Sequence, residues 1–277
     1  MIEILKVIII GIVEGITEWL PISSTGHLLL LDAIMPLKMT PEFKEMFFVV
    51  IQFGAILAVV VMYWGRMWPF GIKTKESVPK KGAYIKIDII MMWLKILVAL
   101  IPSVVFGLWL DDWLEQNFYN PVVISIMLIF YGVLFIVIES WNKRRTPKYN
   151  ELGDLSWKIA FFIGMFQVLA MIPGTSRSGA TIIGGLLLGA SRTAAAEFTF
   201  FLAVPTMLGA SILKIAKFGL AFTSMEAVTL LVGMVISFFV SIIAIKFLMG
   251  YIKKHDFTVF GWYRIVLGAF VLAISFM

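Results

Sequence analysis

Two short polar stretches interrupt a chain that is otherwise almost wholly apolar, and both carry residue types able to do chemistry. The first runs from Glu14 to His27 and holds Glu14, Glu18, Ser23, Ser24, Thr25, Gly26 and His27. Glu14 and Glu18 are four positions apart, so a helix sets both carboxylates on one face. Like charges that close either work as an acid–base pair or recruit a hard cation through oxygen, which points to Mg²⁺ or Ca²⁺. Ser24 is a hydroxyl that a neighbouring base would turn into a nucleophile, and His27, three residues on, supplies one such base. Gly26 lets the backbone turn and present its N–H groups.

The second stretch, Pro173 to Thr181, surrounds Arg177 with Gly174, Ser176, Ser178, Gly179 and Thr181. A guanidinium is a planar fork suited to bidentate phosphate binding, and the hydroxyls of Ser176, Ser178 and Thr181 add donors. A helix over 180–190 that begins at Gly179 would aim its free N–H groups and positive dipole end into the loop, making an anion site. Simpler readings exist for both stretches. Ser or Thr would cap a short helix over 28–35 with His27 bonded to a carbonyl, or Arg177 would form an ion pair with Glu14 or Glu18 and nothing more. Neither explains why acids, hydroxyls, glycines and an arginine occur together at membrane depth, where each is costly unless it lines a cavity. Gly185 and Gly189 are expected to serve close helix packing.

The elements that must hold these residues follow from composition. Of 277 residues, 61% are hydrophobic and 14% charged, with a mean hydropathy of +0.98, which is the balance of an integral membrane protein. The apolar runs are unbroken rather than alternating, so the fold class is all-α and not a membrane barrel. A net charge of +6 fits basic loops beside anionic lipid better than nucleic acid, and the absence of Cys excludes disulfides and thiol chemistry. Lys6 precedes the apolar run Val7–Val13, but Glu14 and Glu18 interrupt its continuation, so the first helix is expected to belong to the mature protein.

Residues 4–20 read as an apolar helix that breaks at Pro21 and resumes to about Met35. Spans are expected at 44–64, 88–110 and 121–139, with a Lys-rich stretch from Arg66 to Lys86 and an acidic loop holding Asp111, Asp112 and Glu115. A basic loop, Lys143 to Lys158, comes next. The pattern then recurs: residues 157–172 are apolar, Pro173–Thr181 breaks them, and the run ends near Ala190. Further spans are expected at 193–214, 226–249 and 258–277. Placing the basic segments 65–87, 141–157 and 250–257 in the cytoplasm puts both ends of 157–190 inside and both ends of 4–35 outside. The expectation is six transmembrane helices plus two re-entrant helical hairpins entering from opposite faces. It is a single membrane domain of two inverted-topology repeats, about 1–140 and 157–277, joined by a cytoplasmic linker at 141–156. A shift of 153 positions lays Gly11 on Gly164, Glu14 on Gln167, Ser23 on Ser176, Thr25 on Ser178 and Gly26 on Gly179.

The segments Glu14-Gly-Ile-Thr-Glu18-Trp-Leu-Pro21-Ile-Ser-Ser-Thr-Gly-His27 and Pro173-Gly-Thr-Ser-Arg-Ser-Gly-Ala-Thr181 resemble the two signature motifs of the bacterial undecaprenyl pyrophosphate phosphatase family, the bacitracin-resistance type. The resemblance extends over the whole chain in length, hydropathy and motif spacing. It implies hydrolysis of undecaprenyl pyrophosphate to undecaprenyl phosphate and inorganic phosphate, which recycles the lipid carrier for peptidoglycan and gives bacitracin resistance. It also implies a divalent cation, a place in the bacterial cytoplasmic membrane and an active site facing outward. Glu14, Glu18, Ser24, His27, Ser176, Arg177 and Thr181 fall on the family's functional positions.

The resulting expectation assigns catalysis to Glu14, Glu18, Ser24, His27 and Arg177. Substrate binding falls to Ser23, Thr25, Gly174, Ser176, Ser178 and Thr181, and a metal to Glu14 and Glu18. Ser24 attacks phosphorus while Glu18 or His27 takes its proton, with His27 or a metal-bound water as alternative nucleophiles. The partners are a polyprenyl pyrophosphate and membrane lipids, without nucleic acid, and a homodimer is left open. The competing reading is a transporter or flippase that uses the same cavity for a phosphorylated lipid or an anion.

Overall fold

A computed structural model describes residues 2–72, 83–219 and 221–276. Part of the expected Lys-rich loop, residues 73–82, lies outside the described residues, as does the last residue of the expected final span. The described chain is helical apart from one small hairpin. Helix α1 is Ile2–Thr17, α2 Ser24–Ile34, α3 Pro41–Met62, α4 Trp64–Met67, α5 Ile87–Phe118 and α6 Pro121–Asn142. Helix α7 is Trp157–Leu169, α8 Arg177–Leu187, α9 Arg192–Phe218, α10 Ser224–Ile252 and α11 Thr258–Ser275. Strands β1 (Phe70–Ile72) and β2 (Ala83–Ile85) pair antiparallel between α4 and α5.

Local sequence explains most of the helix starts. Thr40 and Asn120 each accept a hydrogen bond from the backbone N–H three residues on, at 3.2 and 2.9 Å, and a proline comes after each at the first helical position. Ser156 and Ser191 cap α7 and α9 in the same way, and Thr223 and Glu226 form a reciprocal capping box on α10.

Six of the helices are long and apolar enough to cross a membrane: α3, α5, α6, α9, α10 and α11. The protein is therefore a multi-pass, all-α membrane protein. Helices α1, α2, α7 and α8 have 16, 11, 13 and 11 residues. At about 1.5 Å per residue, none of these four reaches the roughly 30 Å of a hydrocarbon core.

Two of the shifted boundaries have a plain local cause. The first helix ends at Thr17, not at residue 20, because Pro21 disfavours helical geometry in the residue before it and the chain turns through Glu18–Ile22. The expected acidic loop is the last part of α5, which continues to Phe118. Residues 111–118 contain neither Gly nor Pro, so nothing stops the helix before Asn120 caps the next one.

The bundle packs α6 on α11, α1 on α10, α5 on α7, and α3 on both α9 and α10. Small residues set these crossings. A Cβ on Gly164 would sit 2.0 Å from the Ala99 carbonyl oxygen, and one on Gly54 would sit 2.2 Å from that of Met234. Such approach distances admit only glycine. Gly185 packs against Ala195 as expected. Gly189 does not serve a crossing: a Cβ there would meet only the Lys148 side chain, at ordinary van der Waals distance, and its φ of 95° serves the turn after α8.

Candidate active site

The two polar stretches fold into two turns, and the turns meet. The chain leaves α1, passes through Glu18–Ile22 and enters α2 at Ser24; it leaves α7, passes through residues 170–175 and enters α8 at Arg177. The residues just before the two helices, Ser23 and Ser176, are the only non-glycine positions with positive φ among the described residues, at 72° and 71°. That conformation is costly for a side chain bearing Cβ, and strain of this kind concentrates at functional sites. Gly174, with φ 89°, makes the second turn possible, since a Cβ there would lie 2.6 Å from the Ile124 carbonyl oxygen.

A hydrogen-bonded row crosses from one turn to the other. The Ser24 hydroxyl donates to Glu18 Oε2 at 2.9 Å, and the other Glu18 oxygen accepts from Arg177 Nη2 at 3.1 Å. Arg177 Nη1 donates to the Thr199 carbonyl at 3.0 Å, while its Nε is buried without a partner. The Arg177 guanidinium thus still has N–H donors not spent on protein, its Nε among them. Glu14, one turn before Glu18, is fully buried, and neither of its carboxylate oxygens has a hydrogen-bond partner. A carboxylate so placed is expensive unless a proton or a cation joins it. The first-turn amides of α2 add to the site, because Ser23 gives that helix no side-chain cap.

The other expected residues divide into those open to a ligand and those already engaged. The Ser178 hydroxyl points to the carbonyls of Glu18 and Leu20, at 3.1 and 3.4 Å, and so ties the two turns together. Thr181, fully buried, donates to the Arg177 carbonyl at 2.9 Å and shares a 2.8 Å hydrogen bond with Thr199. Ser176 Oγ accepts from the Gly179 amide at 3.1 Å, which makes Ser176 the cap of α8. The helix thus starts at Arg177, two residues before the expected Gly179, because a serine side chain is there to accept. These hydroxyls brace the second turn. Ser23 Oγ, by contrast, is buried and unpartnered beside Ser24, and Thr25 sits in the first turn of α2.

Neither ring nitrogen of His27 bonds Ser24. Its Nδ1 lies 2.7 Å from the Ser23 carbonyl oxygen, and its Nε2 lies 2.7 Å from the Tyr263 hydroxyl, with the two rings stacked at 5.6 Å. A carbonyl can only accept, so the Nδ1 carries the proton and Nε2 of the neutral ring accepts from Tyr263. The base in contact with Ser24 is Glu18.

One residue central to this arrangement is absent from the sequence-based set. Arg264, in α11, is fully buried, and its guanidinium donates to the carbonyls of Gly174 and Thr175 at 2.8 and 2.9 Å and to that of Pro21 at 3.2 Å. It thus clamps the backbone of both turns at once. No ion pair to Arg264 occurs among the described residues, and its charge is balanced by carbonyl dipoles. The signal was present: Arg264 is the only charged residue in α11, and a lone arginine inside a span marks a site by default.

A helical membrane bundle that brings a hydroxyl, a carboxylate and a guanidinium into one row is laid out as an enzyme that handles phosphate groups. Comparison with known proteins gives that class a family. Residues 7–270 match the family described as bacitracin resistance protein BacA, and the chain belongs to it. It is 64% identical over 274 residues to an undecaprenyl-diphosphatase of Enterococcus faecalis, covering 99% of this chain and 98% of that one. It is 58% identical to an undecaprenyl-diphosphatase of Desulfitobacterium hafniense, over 98% of this chain and 96% of the relative. A third, from Lachnoclostridium phytofermentans, is 59% identical over 98% of this chain and 96% of its own length.

Proposed function

We propose that this chain hydrolyses undecaprenyl diphosphate to undecaprenyl phosphate and inorganic phosphate, recycling the lipid carrier of cell-wall synthesis and conferring bacitracin resistance. Family membership and the relatives' activity support the reaction; the row Ser24–Glu18–Arg177 is the observation that carries the mechanism. The terminal phosphate sits against Arg177 and the first-turn amides of α2. Ser24 Oγ attacks its phosphorus as Glu18 takes the hydroxyl proton, and the bond to the bridging oxygen breaks, releasing undecaprenyl phosphate. Glu18 passes its proton to the departing phosphate, then takes one from a water that attacks the phosphoserine, freeing inorganic phosphate and restoring Ser24. Positioning and charge neutralisation dominate such transfers, which is the work of Arg177 and the amides.

Glu14 and Glu18 would hold the divalent cation, Mg²⁺ or Ca²⁺. The unpartnered oxygens of Glu14 fit an oxygen-seeking ion. When bound, the ion neutralises charge on the diphosphate oxygens.

The site lies where two short-helix turns meet inside the bundle. This supports an inverted repeat of about 1–140 and 157–277, joined by a linker at 141–156, with each turn the tip of a re-entrant hairpin. Pairing α1 with α10 and α7 with α5 has the symmetry such a repeat requires. The basic loops lie on the cytoplasmic side of the bacterial inner membrane and the site opens outward. Phosphate release from undecaprenyl diphosphate by the purified protein in detergent tests the reading, because no second compartment exists there. Release with turnover is expected; binding without release would leave the transporter alternative.

A further inference from the structure

A second cavity, of about 620 Å³, opens between the end of α10 and the start of α11 and is lined in part by Lys143, Arg192, Lys254 and His255. Its charge is uneven. Lys143 pairs with Asp256 at 3.2 Å, and Arg192 is held by the fully buried Glu139 at 2.6 Å. Burial would raise the Asp256 carboxyl, but bonds from Thr258 and Lys143 outweigh it and hold the group below the usual carboxylate range. Both acids are thus already neutralised by these partners. Lys254 has no ion pair among the described residues, and the one side-chain hydrogen bond His255 makes there is to the Tyr251 carbonyl. The cavity therefore presents net positive charge.

The opposite wall is apolar. Val259 and Trp262 contribute it and are 50% and 58% exposed. Tyr251 and Val259 are shared with a neighbouring groove of about 490 Å³, whose other lining includes Ile16, Leu20 and Phe247. That groove is almost wholly apolar and ends against His27 and Tyr263. A cationic pocket continuous with an apolar, lipid-open groove matches one kind of ligand: a phosphate head on long apolar chains.

We infer that this pocket is a second lipid site, which takes the phosphate headgroup of a membrane lipid at Lys254, beside His255, while the chain lies in the adjoining groove. The headgroup pocket shares no residue with the Ser24–Glu18–Arg177 row, although the groove reaches Leu20, Ile22 and His27 of the first turn, and the inference stands whether or not that row works as proposed. One face of α11 serves both, since Val259 lines the pocket and the groove, and Tyr263, four residues on, reaches His27.

The test is native mass spectrometry of the full chain in detergent, with phosphatidylglycerol and phosphatidylcholine offered in turn. Phosphatidylglycerol should be retained preferentially, and Lys254→Glu combined with His255→Ala should weaken its retention about tenfold. Both residues are exposed, so the variant should elute as a single species and release phosphate from undecaprenyl diphosphate at the unaltered rate. Equal retention of the two phospholipids, or undiminished retention by the variant, overturns the inference. Displacement of phosphatidylglycerol by undecaprenyl phosphate would make the product-type lipid an occupant, and failure to displace it would leave phospholipid as the occupant. Displacement by inorganic phosphate alone would show a bare anion site and overturn the lipid assignment.

Discussion

The two turns begin alike and end differently. Each enters its short helix through a serine with φ near 70°, and the positions are 153 apart in sequence. In the second turn most polar groups are spent on protein, Thr175 Oγ1 and Arg177 Nε excepted: Ser176 accepts from the Gly179 amide, and the Ala180 amide donates to the Ser176 carbonyl at 3.0 Å. In the first turn Ser23 Oγ makes no bond, and its carbonyl is taken by the His27 ring instead of the amide. The same contrast holds a turn earlier. Gln167 donates to Ser103 and Thr206 at 2.8 and 3.2 Å, whereas Glu14 at the corresponding place has no partner. One turn is braced and offers a guanidinium; the other is left unsatisfied and offers a hydroxyl, two carboxylates and free amides. A braced frame holding an unsatisfied site is what preorganised electrostatic catalysis requires.

That contrast can be broken most sharply by treating the two serines alike. Ser24→Ala is expected to lower turnover on the order of 10⁴-fold, while Ser176→Ala, which removes a cap, lowers it roughly tenfold or less, measured as phosphate release. Replacing Arg177 by Ala should cost about 10²–10³-fold in turnover, and Lys should not restore it, since a point charge lacks the fork. Arg264→Ala leaves the Gly174, Thr175 and Pro21 carbonyls without their donor. The expected loss is about 1–3 kcal/mol in stability, read as a lower unfolding temperature, with turnover falling alongside. The smallest effect separates the turns most finely. Ser23→Gly should stabilise by about 1 kcal/mol through relief of the positive φ, whereas Ser176→Gly should be nearly neutral because the cap is lost with the strain.

Much of this was readable from residue types and spacing. Polar residues at membrane depth located both turns, and unbroken apolar runs located the six spans, while the capping residues Thr40, Asn120, Ser156, Ser191 and Thr223 emerged only with the fold. What spacing could not supply was direction. His27 and Glu18 both lie within a few residues of Ser24, and only the fold shows His27 turned to Tyr263, a residue of α11 far along the chain. Ser178 and Thr181 read as phosphate donors because a hydroxyl's partner is invisible in sequence; their bonds to Glu18, Arg177 and Thr199 cross between elements. Arg264 belongs to no motif, yet a single charge in an apolar helix is costly enough to mark a site by itself.

The central claim is that Ser24, bonded to Glu18, takes the phosphoryl group while the Arg177 turn holds it. Quenching the reaction of undecaprenyl diphosphate labelled at its terminal phosphate, then mapping the labelled peptide, tests it directly. The account predicts label on Ser24 that disappears in the Ser24→Ala chain. Label on His27, or steady turnover with no labelled protein at any quench time, would contradict it.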